Sequence, residues 1–407
     1  MNFCMISYSF YEIDYRVRRY AEALVASEAD VDVLSLRKDG AERHDMLNGV
    51  HLHRLQKRVY NEKGPLTFLI RILLFFVRAM TTVSVRHFRQ HYRVIHVHNV
   101  PDFLVFTCLI PKLLGARIVL DIHDILPEFY CQKFGIRPDS FPAKILRLAE
   151  YLSVHFADHV IVANELWRRK IIARTGLSPE RCTALLNYPD EVFFHVDRQP
   201  GNPADDFRIV YPGTISHLHG LDIAVRAMAI LRQAVPHARL EVYSNRTGNS
   251  PYFDQLNALV QELNLQGHVS FNDAIPHQEM AQLLRKAHVG VVPKRAGVFA
   301  SEAFSTKIFE FLASGVPVVA SRTRIDEFYF DEQVVSFFEP ESEEELAQRL
   351  LELFRDCKKR KGFSMTGREF MRDKRWEEKK QIYYSIVEKL IGVPLCERED
   401  ASQYRAA

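Results

Sequence analysis

The chain has 407 residues, with 54 Lys and Arg against 51 Asp and Glu, and 47 % apolar residues; that length exceeds one comfortable hydrophobic core and that composition is ordinary for a soluble globular protein. A net charge of +3 excludes the strongly basic profile of a nucleic-acid binder, so no nucleic-acid partner is expected. The six cysteines, Cys4, Cys108, Cys131, Cys182, Cys357 and Cys396, are scattered without a CxxC pair, which argues for a reduced, cytoplasmic compartment and against a zinc site or a disulfide framework.

The N-terminus, MNFCMISYSFYEID, goes directly into strand-like sequence and does not read as a secretory signal. Through the first half, NFCMISYS, VDVLSL, VHLHRL, VIHVHN, RIVLDIH and HVIVAN are short, β-rich and bounded by turn residues. Helical segments such as RVRRYAEALVAS, PDFLVFTCLIPKLLG and PAKILRLAEYLSVHFA alternate with them. Such alternation predicts a parallel sheet with covering helices.

One segment departs from the average. From Lys63 through Pro101 there is no Asp or Glu, and the stretch holds LTFLIRILLFFVRAMTTVSVRHFRQHYR. Arg71 and Arg78 interrupt the apolar part, which argues against a spanning helix, since a span needs ~20 largely uncharged residues. On a helix turning ~100° per residue, Arg71, Arg78, Arg86, Arg89 and Arg93 fall on a narrow basic stripe. A helix over 66–93 that rests on an anionic membrane surface fits this pattern. A buried domain helix with a solvated arginine edge fits it equally.

NYPDEVFFHVDRQPGNPADD then reads as a linker, rich in Pro, Asp and Asn and without periodicity. After it the alternation restarts with FRIVYPG, LDIAVRAMAILRQAV, ARLEVYSN, PYFDQLNALVQELNL, HVSFND, HQEMAQLLRKA and HVGVVP. The expected fold is α/β: two Rossmann-like, doubly wound parallel-sheet domains facing each other across a cleft, with ligands beyond the carboxyl ends of the strands. The expected divisions are 1–200, 207–375 and a last helix over 376–395 that crosses back to the first domain.

SEAFSTKIFEFLASGVPVVAS (301–321) concentrates the polar chemistry. Ser305 or Thr306 is a candidate N-cap, with Gly315 ending the helix. A helix entrance offers free N–H groups to a phosphate or diphosphate. Carboxylates near such an anion repel it unless they meet neutral partners, and sugar hydroxyls are such partners. Glu302 and Glu310 therefore fit two hydroxylated groups on either side of a diphosphate, with Lys307 as counter-charge. Spacing alone favours the alternative, a dipole-favouring Glu302 and a solvated Glu310 paired with Lys307.

The stretch EAFSTKIFEFLASGVPVVAS resembles the E-x7-E segment of retaining glycosyltransferases of family 4, which have the GT-B fold. The resemblance extends along nearly the whole chain: DYRVRRYAEALVASEADVDVLSL near the start, HVHNVPDFLVFTCLIPKLLGARIVLDIHDILPEFY, the glycine-bearing YPGTISHLHGLDIAVRAM, and RWEEKKQIYYSIVEKL at the end. It implies that Glu310 binds ribose hydroxyls and that Glu302 contacts the donor sugar. It also implies that backbone N–H groups near Phe304, Ser305 and Thr306 face the diphosphate. His123, in DIHD, matches a histidine near the donor sugar and the reaction centre. Gly213 and Thr214 match the loop that approaches phosphate closely, and Asp14 and Arg16 lie on the acceptor side, where surface helix charges are the competing reading.

The chain departs from the family pattern in its glycine-bearing loop. The lysine that helps neutralise the departing diphosphate is replaced by His219, and the arginine position is not basic. Either His219 acts as the cation, or Lys294, Arg295, Arg246 and Lys307 supply the charge. The resemblance implies a nucleoside diphosphate sugar as co-substrate, transfer with retention, no metal and no further cofactor. Asp30-Val31-Asp32 is a DxD, read here as incidental. The leading expectation is a cytoplasmic glycosyltransferase peripheral to the inner membrane face, acting on a lipid-linked or other carbohydrate acceptor in surface polysaccharide synthesis. A soluble small-molecule acceptor and a non-catalytic scaffold subunit are the alternatives.

Overall fold

The apolar runs of the first half form strands of one sheet. The computed structural model describes residues 1–58, 65–244 and 251–395. They fall into two units, residues 1–187 with 379 onward, and residues 188–378. Unit 1 contains β1 (Asn2–Ser7), α1 (Tyr15–Ala26), β2 (Asp30–Arg37), β3 (His44–Leu47), β4 (Val50–Lys57), α2 (Pro65–Gln90), β5 (Val94–His98), α3 (Leu109–Leu113), β6 (Arg117–Ile122), α4 (Leu126–Phe134), α5 (Phe141–Phe156), β7 (His159–Val162), α6 (Glu165–Thr175) and β8 (Cys182–Ala184). The strand order is β3-β4-β2-β1-β5-β6-β7-β8. Pairing is parallel except for β3 with β4. All residues of β5 and β7 are buried, as expected of parallel strands covered on both faces.

The β3–β4 hairpin was not anticipated, although its signal was present. Asn48 and Gly49 both take positive φ, 52° and 78°, the conformation that an Asn-Gly hairpin turn requires. PDFLVFTCLIPKLLG is also not one helix. It is a 3₁₀ turn over Asp102–Cys108 followed by the short α3, and Pro111 in that helix has no N–H to give.

The chain runs leftward from β1 to β2 and β4, then rightward from β5 to β8. Right-handed crossovers put α1 on one face of the sheet and α2, α3 and α5 together on the other. Tyr384 donates from its hydroxyl to Ala23 O of α1 at 2.7 Å, so the final helix joins the α1 face.

α2 corrects the expected arginine stripe. The helix stops at Gln90, and Arg93, beyond it, donates to Ile391 O at 2.9 Å. Arg86 bonds the Asp32 carboxylate, which also takes Tyr92 and His53. The second Asp of the DxD is thus consumed by the fold. Ile72, Phe75, Ala79 and Val83 are buried, whereas Ile70, Leu73, Leu74 and Val77 are exposed, so neither a fully buried helix nor an arginine-only outer edge describes it. By length and composition alone Thr67–Gln90 would cross a membrane despite its arginines, and 28 % of its most apolar window is buried.

Unit 2 contains β9 (Phe207–Pro212), α7 (Leu221–Ala234), β10 (Ala238–Ser244), α8 (Pro251–Glu262), β11 (Val269–Asp273), α9 (His277–Leu284), β12 (Val289–Val292), α10 (Thr306–Ala313), β13 (Val318–Ser321), α11 (Arg324–Tyr329), β14 (Ser336–Phe338), α12 (Glu343–Arg355) and α13 (Cys357–Met371). Its strand order is β11-β10-β9-β12-β13-β14, all parallel. The direction reverses between β9 and β12. α14 (Trp376–Ile391) follows, with its residues from Lys379 onward belonging to unit 1.

Candidate active site

In unit 2, the loops after β9 and β12 leave the sheet side by side at the reversal point, where open α/β sheets bind their ligands. Gly213 and Thr214 follow β9, Lys294 follows β12, and α10 begins at Thr306. The face of α10 carrying Ile308, Phe309, Phe311 and Leu312 is buried. Gly290 on β12 admits the Phe311 ring so closely that a Cβ there would stand 2.5 Å from it. Phe304 packs edge-on against Phe309 at 4.7 Å and against Tyr329 at 5.2 Å, which fixes the turn into the helix. At the other end, Gly315 O accepts from Arg198 and Ser364, and Ser314 O from Arg368, cations suited to a helix C-terminus.

The helix entrance is left open for a ligand. Ser305 stands at the N-cap position but makes no capping bond, and its buried hydroxyl has no partner among the described residues. The first N–H groups of an α-helix have no intrahelical acceptor. Lys307 lies in the first turn, and its ammonium sits 5.3 Å from the Tyr211 ring centre. Burial pushes its pKa down to about 8, Glu310 opposes this, and Lys294 adds to it. The Glu310 carboxylate is half-buried and makes no hydrogen bond or ion pair among the described residues, so the expected pairing with Lys307 is not formed.

His219 does not supply the missing charge. Its Nδ1 lies 2.8 Å from Thr214 O and 3.1 Å from Ser216 Oγ. A carbonyl only accepts, so Nδ1 carries the proton and Nε2 is left as an acceptor. Burial, then Lys307 and Lys294, push its pKa down to about 4 against the Thr214 bond. His219 is neutral near pH 7. Lys294 is committed as well: its ammonium pairs with the fully buried Asp326 at 2.7 Å and donates to Ala303 O at 3.0 Å. Thr323 also donates to Asp326, at 2.6 Å. Arg295 is bound to Asp222. Arg246 lies outside the described residues. Among the described residues, Lys307 is therefore the candidate cation at the entrance.

Glu302 is buried, and its Oε1 accepts from Arg324 at 2.8 Å, while the Arg324 side chain is 68 % exposed. Sequence reading missed Arg324, Thr323 and Asp326. Their clue was a charged and hydroxylated cluster, SRTRID, directly after a buried strand.

In unit 1, the corresponding reversal lies between β1 and β5. Asp14 caps α1, accepting from Val17 N at 3.3 Å and from Ser9 Oγ at 2.7 Å. Arg16 is no surface charge. It is 7 % exposed and grips the fully buried Asp121 with Nε and Nη2, both at 2.8 Å. Its Nη1 donates to Leu185 O at 2.9 Å. Burial alone would raise the Asp121 pKa, but Arg16 and His123 outweigh it and hold the carboxyl well below its usual range. His123 Nε2 lies 3.0 Å from Asp121 Oδ2 and its backbone N–H donates to Asn99 Oδ1 at 2.8 Å. The carboxylate makes Nε2 the protonated nitrogen and leaves Nδ1 as the atom available to a ligand.

His96, His98 and Asp121 bring ligand atoms within 4.8 Å of one another. They do not suit a cation, because both Asp121 oxygens already accept from Arg16, whose positive charge lies against the site. The set serves as support behind His123. Asp121 and Asn99 are positioning residues that sequence reading did not assign, and Arg16, expected on the acceptor side, grips Asp121 from within the fold; a charged Asp in the apolar run RIVLDI was the available signal.

Residues 13–187 match the family profile described as "Glycosyl transferase 4-like domain", and residues 194–370 match "Glycosyl transferases group 1". The D-inositol 3-phosphate glycosyltransferase 1 of Catenulispora acidiphila is 30 % identical over 241 residues, 56 % of this chain and 56 % of that protein. The D-inositol 3-phosphate glycosyltransferase of Mycobacterium tuberculosis strain H37Ra is 32 % identical over 183 residues, 43 % of this chain and 36 % of that protein. The chain thus spans about half or less of the length of these curated relatives. Among solved structures, the sucrose-phosphate synthase of Thermosynechococcus elongatus superposes with a TM-score of 0.74 at 20 % identity, covering 96 % of this chain and 99 % of that one. HepE of Anabaena, solved in complex with UDP, gives 0.71 at 17 %, covering 96 % and 100 %. With two Rossmann-like units and both halves matched in order, the chain belongs to the group 1, family 4-like glycosyltransferases of GT-B fold.

Proposed function

We propose that the protein moves a hexosyl unit from a nucleoside diphosphate sugar to a hydroxyl of an acceptor, with retention at the anomeric carbon. The observation that carries this reading is the entrance of α10. There an uncapped helix start and the Lys307 ammonium stand in the segment that also carries Glu302 and Glu310. Diphosphate oxygens meet the N–H groups and Lys307, which stabilise charge as it develops on the leaving group. Sugar and ribose hydroxyls donate to the two carboxylates. Arg324 and Lys294 hold Glu302 and the preceding turn in register. Structural neighbours solved in complex with UDP and UDP-glucose make UDP-sugars the first donors to test.

His123, steadied by Asp121, serves the donor sugar through Nδ1. The acceptor is a carbohydrate hydroxyl on a lipid-linked carrier at the cytoplasmic face of a membrane, in surface polysaccharide assembly; the exposed apolar side of α2 supports this. A soluble polyol phosphate is the second reading, favoured by the names of the curated relatives.

The test is release of UDP, GDP or ADP from the matching sugar donors, alone and with a lipid-linked or an inositol phosphate acceptor, for the parent and Glu302→Ala. Donor-dependent turnover lost in the variant, with product anomeric configuration retained by NMR, is expected. Neither nucleotide binding nor turnover with any donor would leave a scaffold role instead.

A further inference from the structure

We infer that the outer face of the α2–α3–α5 layer of unit 1 is a docking surface for an anionic lipid bilayer, which the protein meets lying on the interface. The inference deepens the acceptor side of the proposed function and rests on that reading only for its purpose. Vesicle binding is measured without donor or acceptor, so failure of docking and failure of transfer are separate results.

The layer is continuous. α2 and α5 both pack against the 3₁₀ turn that leads into α3, and α3 touches α2. Ile72, Phe75, Ala79 and Val83 are the buried side of α2, with Phe75 against Tyr8 at 5.1 Å between ring centres. The opposite side carries Ile70, Val77 and Phe88, and the same layer adds Leu113 at 78 %, Phe141 at 76 % and Leu148, all exposed. Scattered exposed apolar residues need no explanation, but a contiguous face this apolar on three adjacent helices marks an interaction site.

Charge selects the partner. Across α2, α3 and α5 the only acidic residue is Glu150, which is buried against Arg174 at 2.6 Å. The exposed charges on these helices are cationic, with Arg78, Arg89 and Lys144 among them. A second copy docking through the same patch would bring these cations face to face with no acid to receive them. An apolar face whose helices expose cations and no acid suits anionic headgroups over acyl chains. The buried side of α2 argues for lying on the bilayer, since crossing it would strip Phe75 and its neighbours from the sheet.

Flotation of the full chain with phosphatidylcholine vesicles, with and without phosphatidylglycerol, tests the inference. Binding that requires phosphatidylglycerol and weakens with salt is expected. Leu113→Asp with Phe141→Asp should lower it by roughly tenfold or more, as should Arg78→Glu with Lys144→Glu. Nucleotide-induced melting shifts should be unchanged in both variants. Should the aspartate pair fail to fold, the charge-reversed pair decides, together with hydrogen exchange of the parent over 65–90, 109–114 and 141–156 with vesicles present. A parent that ignores every vesicle, or variants that float like the parent, would overturn the inference. So would a parent dimer that Leu113→Asp with Phe141→Asp dissociates while vesicles go unbound.

Discussion

Gly213 lies over the Lys307 side chain so closely that a Cβ added to the glycine would stand 2.1 Å from Lys307 Cε and 2.8 Å from Nζ. Gly213 also holds φ at +145°, a conformation that side chains rarely adopt. The glycine thus leaves room for the cation at the helix entrance. Gly213→Ala should displace Lys307 and weaken nucleotide diphosphate binding by roughly 10- to 100-fold, the worth of a charge-assisted hydrogen bond. Lys307→Ala should lose a similar factor. The double variant should lose little more than either single one, because both remove the same interaction. Calorimetric titration with UDP reads this, and additive losses would refute the coupling.

The Lys307 pKa of about 8 sets a pH dependence. Below that value the ammonium is charged and binds diphosphate; above it the charge is lost. A bound anion raises the lysine's pKa over that of the free protein, so binding takes up protons between about pH 7 and 9 and affinity falls as pH rises through that window. Lys307→Arg should abolish the fall. His219, near 4, should contribute no dependence above pH 6. Titrations in buffers of different ionisation enthalpy measure the proton uptake; a flat profile for the parent would assign the charge to another group.

The strands and the two doubly wound units were legible, because buried parallel strands read as short β-branched runs such as VIHVH and HVIV. The helix entrance was legible in SEAFSTKIFEF for the same local reason. What escaped were contacts between residues remote in sequence. Nothing in YPGTIS announces that Lys307 lies beneath Gly213, and nothing in DYRVRRY announces that Arg16 turns inward to Asp121. His219 looked like a cation because its ordinary pKa allowed it; burial beside two lysines forbids it. The apolar side of α2 was visible in composition, but which side faces the sheet depends on where Phe75 and Val83 pack.

Arg16 and Asp121 form a buried, bidentate pair, so removing one partner strands the other. Asp121→Asn should cost about 3–5 kcal/mol, since an uncompensated guanidinium remains inside unit 1. It should also free the His123 ring, lowering turnover more than nucleotide affinity. Urea unfolding and UDP titration separate the two effects. A variant as stable as the parent would mean that water reaches Arg16 and screens its charge.

Glu150 and Asp102 give the stability of unit 1 its own pH dependence. Burial pushes the Glu150 carboxyl up to about 7, with Arg174 opposing and Asp102 and Glu128 adding; burial pushes Asp102 up to about 6. The folded state thus holds these protons more tightly than the unfolded chain. Their contribution is greatest below the unfolded value near 4 and is lost as pH rises through about 6 to 7. Glu150→Gln keeps the side-chain shape, and Arg174 retains its 2.7 Å partner Glu128. The variant should therefore be no more stable than the parent at pH 5 and gain up to about 3 kcal/mol at pH 8. The difference between the two unfolding free energies cancels the groups remote from Glu150, which titrate alike in both. A variant less stable than the parent at pH 8 would mean that the ionised Glu150 gains more from Arg174 than its burial costs, and that its pKa is not raised by the fold.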